Sequence, residues 1–299
     1  MEEKKTETTE ERIYSQLKEY VRAVATGKGY QNSLFVFGNG GLGKTKVVID
    51  TLNELLGKEP IYYNNYSTIV ELINFLYIHR ADEIILLDDY DSLLNNPVAV
   101  SCLKGALWGV GKENKRLISY MTTSNKLTAP SQFEFTSKII FLINEHKDRS
   151  ENKSLNALFS RSISYTLEVN YTDLILLLEE ISKKPYRDME QAQKDEVFEF
   201  IKENTDETFD ELSIRTLITG FDFYVDKNDK WKELLLPQLK ENEKLALLKK
   251  FLEESATIRE AQNKWSEQTG LSRRSFFYYH KKYKSGIALL HLDCTTKNP

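Results

Sequence analysis

Cysteine is scarce: Cys102 and Cys294 are the only two in 299 residues. Two thiols so placed make neither a disulfide framework nor a metal-ligand pattern, which points to a reducing, cytoplasmic setting. Long apolar runs are missing too. No stretch reaches the ~18 residues that a membrane-spanning helix needs, and the charged start from Met1 to Glu11 does not read as a signal peptide. No membrane association is therefore expected. Internal repeats and low-complexity segments are also lacking, so no repeat array is expected. What remains is an ordinary globular composition, 40% hydrophobic and 29% charged, with length for two domains or one large one.

A net charge of -4 gives no argument for a nucleic-acid partner, but its distribution does. Between Ala256 and Gly286 stand seven Lys/Arg and two acids, a local +5 in a chain that is otherwise -9.

The segment "LFVFGNGGLGKTKVVID", Leu34 to Asp50, concentrates four glycines in six residues. Fixing a glycine costs backbone entropy, so such a cluster implies that something approaches the backbone closely. Gly38-Asn39-Gly40-Gly41-Leu42-Gly43-Lys44-Thr45 matches G-x-x-x-x-G-K-[ST] at every fixed position, after an apolar strand and before a helix. The loop N–H groups, with those opening the helix through Lys46, would cradle phosphates. Lys44 would reach the β- and γ-phosphates of ATP, and Thr45 would bind Mg2+. A magnesium site also needs a carboxylate. Asp88, after the apolar run of "EIILL", is the expected one. Asp89 follows where a water-polarising acid would stand; both could instead simply end the strand.

The pattern predicts a lead-in helix around Ile13 to Val21 and strands at 34–37, 61–63, 83–87, 139–143 and 163–169. Helices are predicted at about 44–56, 67–77, from Pro97, and at 154–159. Leu117 to Phe135 reads as a β-hairpin turning at Asn125 to Pro130. Strands alternating with helices predict an α/β fold, a P-loop three-layer αβα parallel sheet. An all-helical lid and a small helical, DNA-binding-like module follow. The expected divisions are a tail and lead-in helix over 1–29, an ATPase domain over 30–170, lid and connector over 171–254, a basic module over 255–286, and a tail over 287–299.

From Tyr30 to Asp222 the motifs, taken in order, resemble those of the AAA+ ATPases. "KIIFLIN" resembles the sensor-1 strand, which makes Asn144 the residue that orients the hydrolytic water. "LNALFSRSISYTLEV" resembles the element carrying the arginine finger, and Arg161 fits that place. "ELSIRTL" resembles the sensor-2 helix, with Arg215 facing the γ-phosphate. Arg149 and Arg187 compete for the arginine roles. The resemblance implies a homo-oligomer, a hexamer-like ring or open spiral, with the finger supplied between subunits. "DDYDSLLNN" and "RLISYMTT" resemble the phage- and prophage-encoded kind. The phosphate loop with "IILLDDYD" is also similar to signal-transducing switch ATPases, and the loop with a pre-sensor hairpin to ring helicases of small viruses. The lack of a repeat array argues against the first and the lid helix against the second.

"IREAQNKWSEQTGLSRRSFFYYHKKYK" has helix-turn-helix spacing: Ser266, Gly270 four later, Phe276 six after that, and Ser272 to cap the second helix. It resembles bacterial and phage DNA-binding modules. Arg273, Arg274, Lys281, Lys282 and Lys284 would meet DNA phosphates or base edges; the bland alternative is a helical hairpin with a solvated basic face. The hairpin near Lys115, Arg116, Lys126 and Lys138 is either a second contact surface or an edge extension of the sheet. The expectation is therefore a Mg2+-dependent ATPase that loads, moves or remodels something on DNA. Its rivals are an ATP-binding switch acting as a transcription regulator, and a protein-remodelling ATPase with a protein partner.

Overall fold

Strand β1 (Ser33–Phe37) is buried at all five positions. A strand reads this way when both faces of its sheet are covered, as parallel βαβ connections require. The computed structural model describes residues 8–29, 31–64, 68–88, 96–109, 115–144 and 153–287. Helix α1 (Thr9–Thr26) leads into β1. There follow α2 (Lys44–Leu56), β2 (Ile61–Tyr63), α3 (Ile69–Ile78), β3 (Ile84–Asp88), α4 (Pro97–Leu107), β4 (Leu117–Ser119), β5 (Gln132–Glu134), β6 (Lys138–Ile143), α5 (Lys153–Phe159) and β7 (Ile163–Thr166). Starts are set locally. The Thr68 hydroxyl accepts the Glu71 N–H while the Glu71 carboxylate accepts that of Thr68, and Asn96 caps α4 ahead of Pro97.

The main sheet runs β2-β3-β6-β1-β7 with every pairing parallel. In register, Phe37 lies beside Ile143 and Asp88 beside Leu142. Strands β1, β6 and β3 therefore end together, and Gly38, Asn144 and Asp88 stand on one edge. The crevice outside the carboxyl ends of parallel strands is where open α/β sheets take ligands.

One face, including Phe35, Phe37, Ile85, Leu87 and Phe141, packs with Leu72 and Leu76 of α3, Leu103 of α4 and Leu158 of α5. Phe35 stacks on Phe141 at 4.1 Å between centroids. The opposite face, Leu34, Val36, Leu86, Ile140 and Leu142, is equally buried, as are Leu17 and Val21 of α1 and Val48 and Leu52 of α2. Helices on both faces make the three layers that the alternation predicted.

The hairpin is present: β4 and β5 pair antiparallel as a separate two-stranded sheet. It is therefore not an edge extension of the main sheet, and two of the four cations in or beside it, Arg116 and Lys138, are held by backbone carbonyls. Arg116 is buried, and its guanidinium donates to Ala106 O (2.9 Å), Ser137 O (2.7 Å) and Thr136 O (2.5 Å). Burial lowers its pKa to about 10, which leaves it fully charged at neutral pH. The Lys138 ammonium donates to Val24 O (2.8 Å), Ala25 O (3.0 Å) and Gly27 O (2.6 Å). It thus neutralises the carbonyl end of α1, where the helix dipole favours a cation. Lys115 and Lys126 are the exposed members of that group.

The chain divides into two compact units, Tyr14–Glu168 and Val169 onward together with the start of α1. The second unit is helical among its described residues: α6 (Tyr171–Ser182), α7 (Gln191–Glu203), α8 (Ile214–Lys227), the short α9 (Trp231–Leu235), α10 (Glu243–Glu253), α11 (Ile258–Thr269) and α12 (Arg273–Ile287). Within the stretch expected as lid and connector, Trp231 to Glu254 is two helices separated by a 3-10 turn that contains Pro237. Leu248 and Phe251 of α10 share a core with Ala261, Trp265 and Phe276. The last helical cluster therefore begins with α10, ahead of residue 255. Among the described residues no helix is long and apolar enough to cross a membrane.

Candidate nucleotide site and basic module

The loop from Gly38 to Gly43 connects β1 to α2. Gly41 and Gly43 are left-handed, with φ of 76° and 73°, a conformation that costs an L-residue about 1–2 kcal/mol. Gly38 has φ 149°, and a Cβ there would lie 2.7 Å from Leu167 O, so a side chain is excluded at the loop's entrance. Helix α2 has Gly43 as its N-cap and no side-chain cap. The first-turn N–H groups of a helix have no intrahelical acceptor, and here no N-cap side chain accepts from them. Together with the helix dipole they make an anion site.

Lys44 is only 7% exposed. Its Nζ donates to Gly38 O and Asn39 O, both at 2.7 Å, which holds the ammonium across the loop. The Lys46 side chain turns the other way and pairs with Asp50 at 2.5 Å, leaving its N–H as its part in the loop.

The Thr45 hydroxyl donates to Asp88 Oδ2 at 2.8 Å. The two magnesium candidates, forty-three positions apart, thus meet at the edge of the sheet. This is a P-loop α/β fold. Its strand order places β6 between the loop strand and the Asp88 strand, so Asn144, exposed at the end of β6, emerges between them. Asp89 and Arg149 lie outside the described residues.

Two tyrosines that the motif reading missed complete the site. Tyr62 OH donates to the same Asp88 Oδ2 at 2.9 Å, and Asn64 Nδ2 donates to Tyr62 OH at 3.3 Å. Tyr14 OH donates to Leu42 O at 2.8 Å, so α1 grips the crown of the loop from a buried position. Tyr14 could have been found, since Tyr14, Leu17, Val21 and Val24 recur at helical spacing on the buried face of α1. Nothing in the local pattern marks Tyr62.

Arg161, just beyond α5, is half-buried and its Nη1 donates to Ala157 O. Arg215 is exposed in the first turn of α8. The competitor Arg187 is paired with Asp222 at 2.8 Å, an interaction internal to the helical unit.

In the basic module, Gly270 caps α11 with φ 67° and Ser272 Oγ accepts the Ser275 N–H at 3.3 Å, as the spacing predicted. Phe276 is fully buried, edge-on to Trp265 at 5.8 Å. Ser266 Oγ is buried and makes no hydrogen bond. Arg273, which lies over the Phe277 ring at 5.4 Å, is exposed, as are Arg274, Lys281 and Lys284. Lys282 differs: its Nζ pairs with Asp210 at 2.6 Å.

No family model and no curated protein matches the chain. Solved structures do. Domain III of the Thermotoga maritima replication initiation protein DnaA is 18% identical with a TM-score of 0.47, over 79% of this chain and 97% of that one. AMPPCP-bound DnaA from Aquifex aeolicus is 16% identical with a TM-score of 0.45, over 95% and 90%. The Thermotoga maritima RuvB Holliday junction branch migration motor is 12% identical with a TM-score of 0.47, over 93% and 87%.

Proposed function

We propose that this chain is an oligomeric, magnesium-dependent ATPase of the AAA+ type that works on DNA. The observation that carries the nucleotide half is the loop: left-handed glycines, an uncapped helix start, Lys44 across the loop and Thr45 bonded to Asp88. Phosphoryl transfer asks a protein chiefly for positioning and charge neutralisation, and this loop supplies both.

Thr45 and Asp88 fit Mg2+. Both offer hard oxygen atoms, already within hydrogen-bond distance of each other. Among the described residues no cluster of three or more His, Cys, Asp or Glu forms an all-protein metal cage. Magnesium is commonly held by one or two protein oxygens together with substrate phosphates. When bound it would neutralise charge on the β- and γ-phosphates. The loop N–H groups bind the phosphate chain, and the Lys44 ammonium turns from the loop carbonyls to the β- and γ-oxygens. Tyr62 holds the Asp88 carboxylate in one orientation, and Asn144 or Asp89 orients the attacking water. Arg161, from a neighbouring subunit, and Arg215 neutralise the γ-phosphate; an arginine finger is worth about 10³–10⁵ in rate.

The DNA half of the proposal rests on the concentration of positive charge in the last helical cluster. Its finer form is a cytoplasmic, phage-type role in replication or DNA processing. The test is ATP turnover with and without DNA, coupled to a sizing measurement in the presence of a non-hydrolysable nucleotide. The expected result is turnover raised by DNA and a nucleotide-dependent increase in size. A slow single turnover indifferent to DNA would overturn the ATPase-on-DNA reading in favour of a switch.

A further inference from the structure

Asp88 offers its two carboxylate oxygens unequally. Oδ2 accepts two hydrogen bonds, from Thr45 Oγ1 at 2.8 Å and from Tyr62 OH at 2.9 Å. A carboxylate oxygen has about two lone-pair sites, so both sites of Oδ2 are taken. Oδ1 accepts no hydrogen bond among the described residues.

The sheet brings Tyr62 within reach. Strand β2 lies at an edge of the sheet, and Tyr62 pairs in register with Leu86 of β3. Residues two apart on a strand share a face, so Tyr62 and Asp88 lie on one face, a diagonal step apart. The direction of the phenolic proton is set from behind. The Asn64 Nδ2 group only donates, and it donates to Tyr62 OH at 3.3 Å. The single proton of Tyr62 is thereby left to Asp88.

Deepening the magnesium site of the proposed function, and resting on it, we infer that Tyr62 is a specificity-determining residue for the metal ion. By filling the second site of Oδ2 it presents Asp88 as a one-oxygen ligand, which suits Mg2+ and disfavours Ca2+. The two ions ask for different carboxylates. Mg2+ demands octahedral geometry, keeps several waters and uses one or two carboxylates beside substrate phosphates. Ca2+ accepts about six to eight oxygens and can take a carboxylate through both of its oxygens. Binding through both needs a lone pair on each, and on Oδ2 that means displacing a hydrogen bond. Thr45 does not have to be the donor displaced. A hydroxyl has one proton and two lone pairs, so Thr45 can keep donating to Oδ2 while a lone pair faces the ion. Tyr62 is the donor whose loss opens Oδ2.

The experiment titrates a fluorescent ATP analogue into the full chain in Mg2+, in Ca2+ and in chelator, with a thermal melt of each protein. The variant is Tyr62→Phe, which keeps the ring of a side chain 45% exposed and leaves the core untouched. In the parent Mg2+ strengthens analogue binding more than Ca2+ does. Tyr62→Phe lowers that preference by roughly tenfold, the scale of one hydrogen bond to a charged group, and does so by raising the effect of Ca2+. Binding in chelator is unchanged. A part confined to packing would move all three titrations or the melt and leave the preference as it was. The inference is overturned if the parent favours Ca2+, or if the folded variant keeps the parental preference. It is also overturned if the variant gains equally with both ions, which would make the hydroxyl a competitor of the metal, or loses the Mg2+ effect without gaining with Ca2+. A parent whose binding gains from neither ion overturns the magnesium site of the proposed function as well, and leaves the phosphate loop standing.

Discussion

Lys44→Met isolates the charge in the loop. Methionine keeps an apolar stem of similar length, so the packing around a side chain only 7% exposed is largely retained. What is lost is a cation held 2.7 Å from two loop carbonyls. At an effective dielectric of about 20, one charge pair 4 Å apart is worth about 4 kcal/mol. To reach a phosphate the ammonium must also leave the carbonyls of Gly38 and Asn39, and each such bond contributes about 1 kcal/mol net. The remaining gain is about 2 kcal/mol, so a triphosphate binds roughly 30-fold more weakly to the variant. Turnover, which needs the same charge in the transition state, falls to background. The Gly38 carbonyl left without its charged donor costs about 1–2 kcal/mol of stability. The assay pairs titration of a fluorescent ATP analogue with phosphate release and a thermal melt. A folded variant whose affinity and turnover both stay within threefold of the parent would refute the assignment of the phosphate site.

Three further outcomes follow from the same structure. Tyr14→Phe removes the bond to Leu42 O at 2.8 Å and loosens the loop; a cost of about 1 kcal/mol predicts roughly fivefold weaker nucleotide binding in a folded protein, and an unchanged titration would count against the role of α1. Arg161→Ala is expected to block hydrolysis and spare binding, with activity returning when it is mixed with the Lys44 variant; a parental hydrolysis rate would remove it as the finger. Burial works against ionisation of Asp206, but hydrogen bonds from Lys249 and Thr208 outweigh it and hold the carboxyl below its usual range. The stability this gives is full above the ordinary carboxylate pKa of about 4 and is lost as pH falls through the lower folded value. Lys249→Met should reduce that acid-side loss, Thr208 keeping part of it, and cost on the order of 1 kcal/mol at pH 7; coincident melting curves from pH 2 to 7 would contradict it.

Periodicity and composition make much of this fold legible because its sheet is buried on both faces. Runs such as "LFVF", "IILL" and "IIFLI", far shorter than a membrane-spanning helix, fit strands of such a sheet. What they do not encode is strand order. That β6 inserts between β1 and β3 follows from how crossovers pack, and this insertion turns three separate motifs into one edge. Boundaries set by side-chain chemistry were also hidden. The break at Pro237 and the allegiance of α10 to Trp265 and Phe276 depend on long-range packing that a helical pattern shared by all these segments does not reveal.

Within the candidate site the legible part is the part made of backbone. A loop that must hold left-handed turns and admit no Cβ leaves glycine as its residue, so it announces itself in any sequence. Side chains that act through a single hydrogen bond leave no such trace. The hydroxyl of Tyr62 on Asp88 and that of Tyr14 on Leu42 occupy positions that any aromatic could fill by hydrophobicity alone. Cations are the least legible. By sequence Arg116, Lys138 and Lys282 are indistinguishable from Lys126 and Lys281, yet the first three are bound to carbonyls or a carboxylate within the fold. Counting basic residues therefore overstates any nucleic-acid surface, because folding withdraws some of them to cap helix ends and offset acidic loops. The useful quantity is the charge left exposed on one face. On α12 that remainder still includes Arg273, Arg274, Lys281 and Lys284, which is why the DNA reading persists without Lys282.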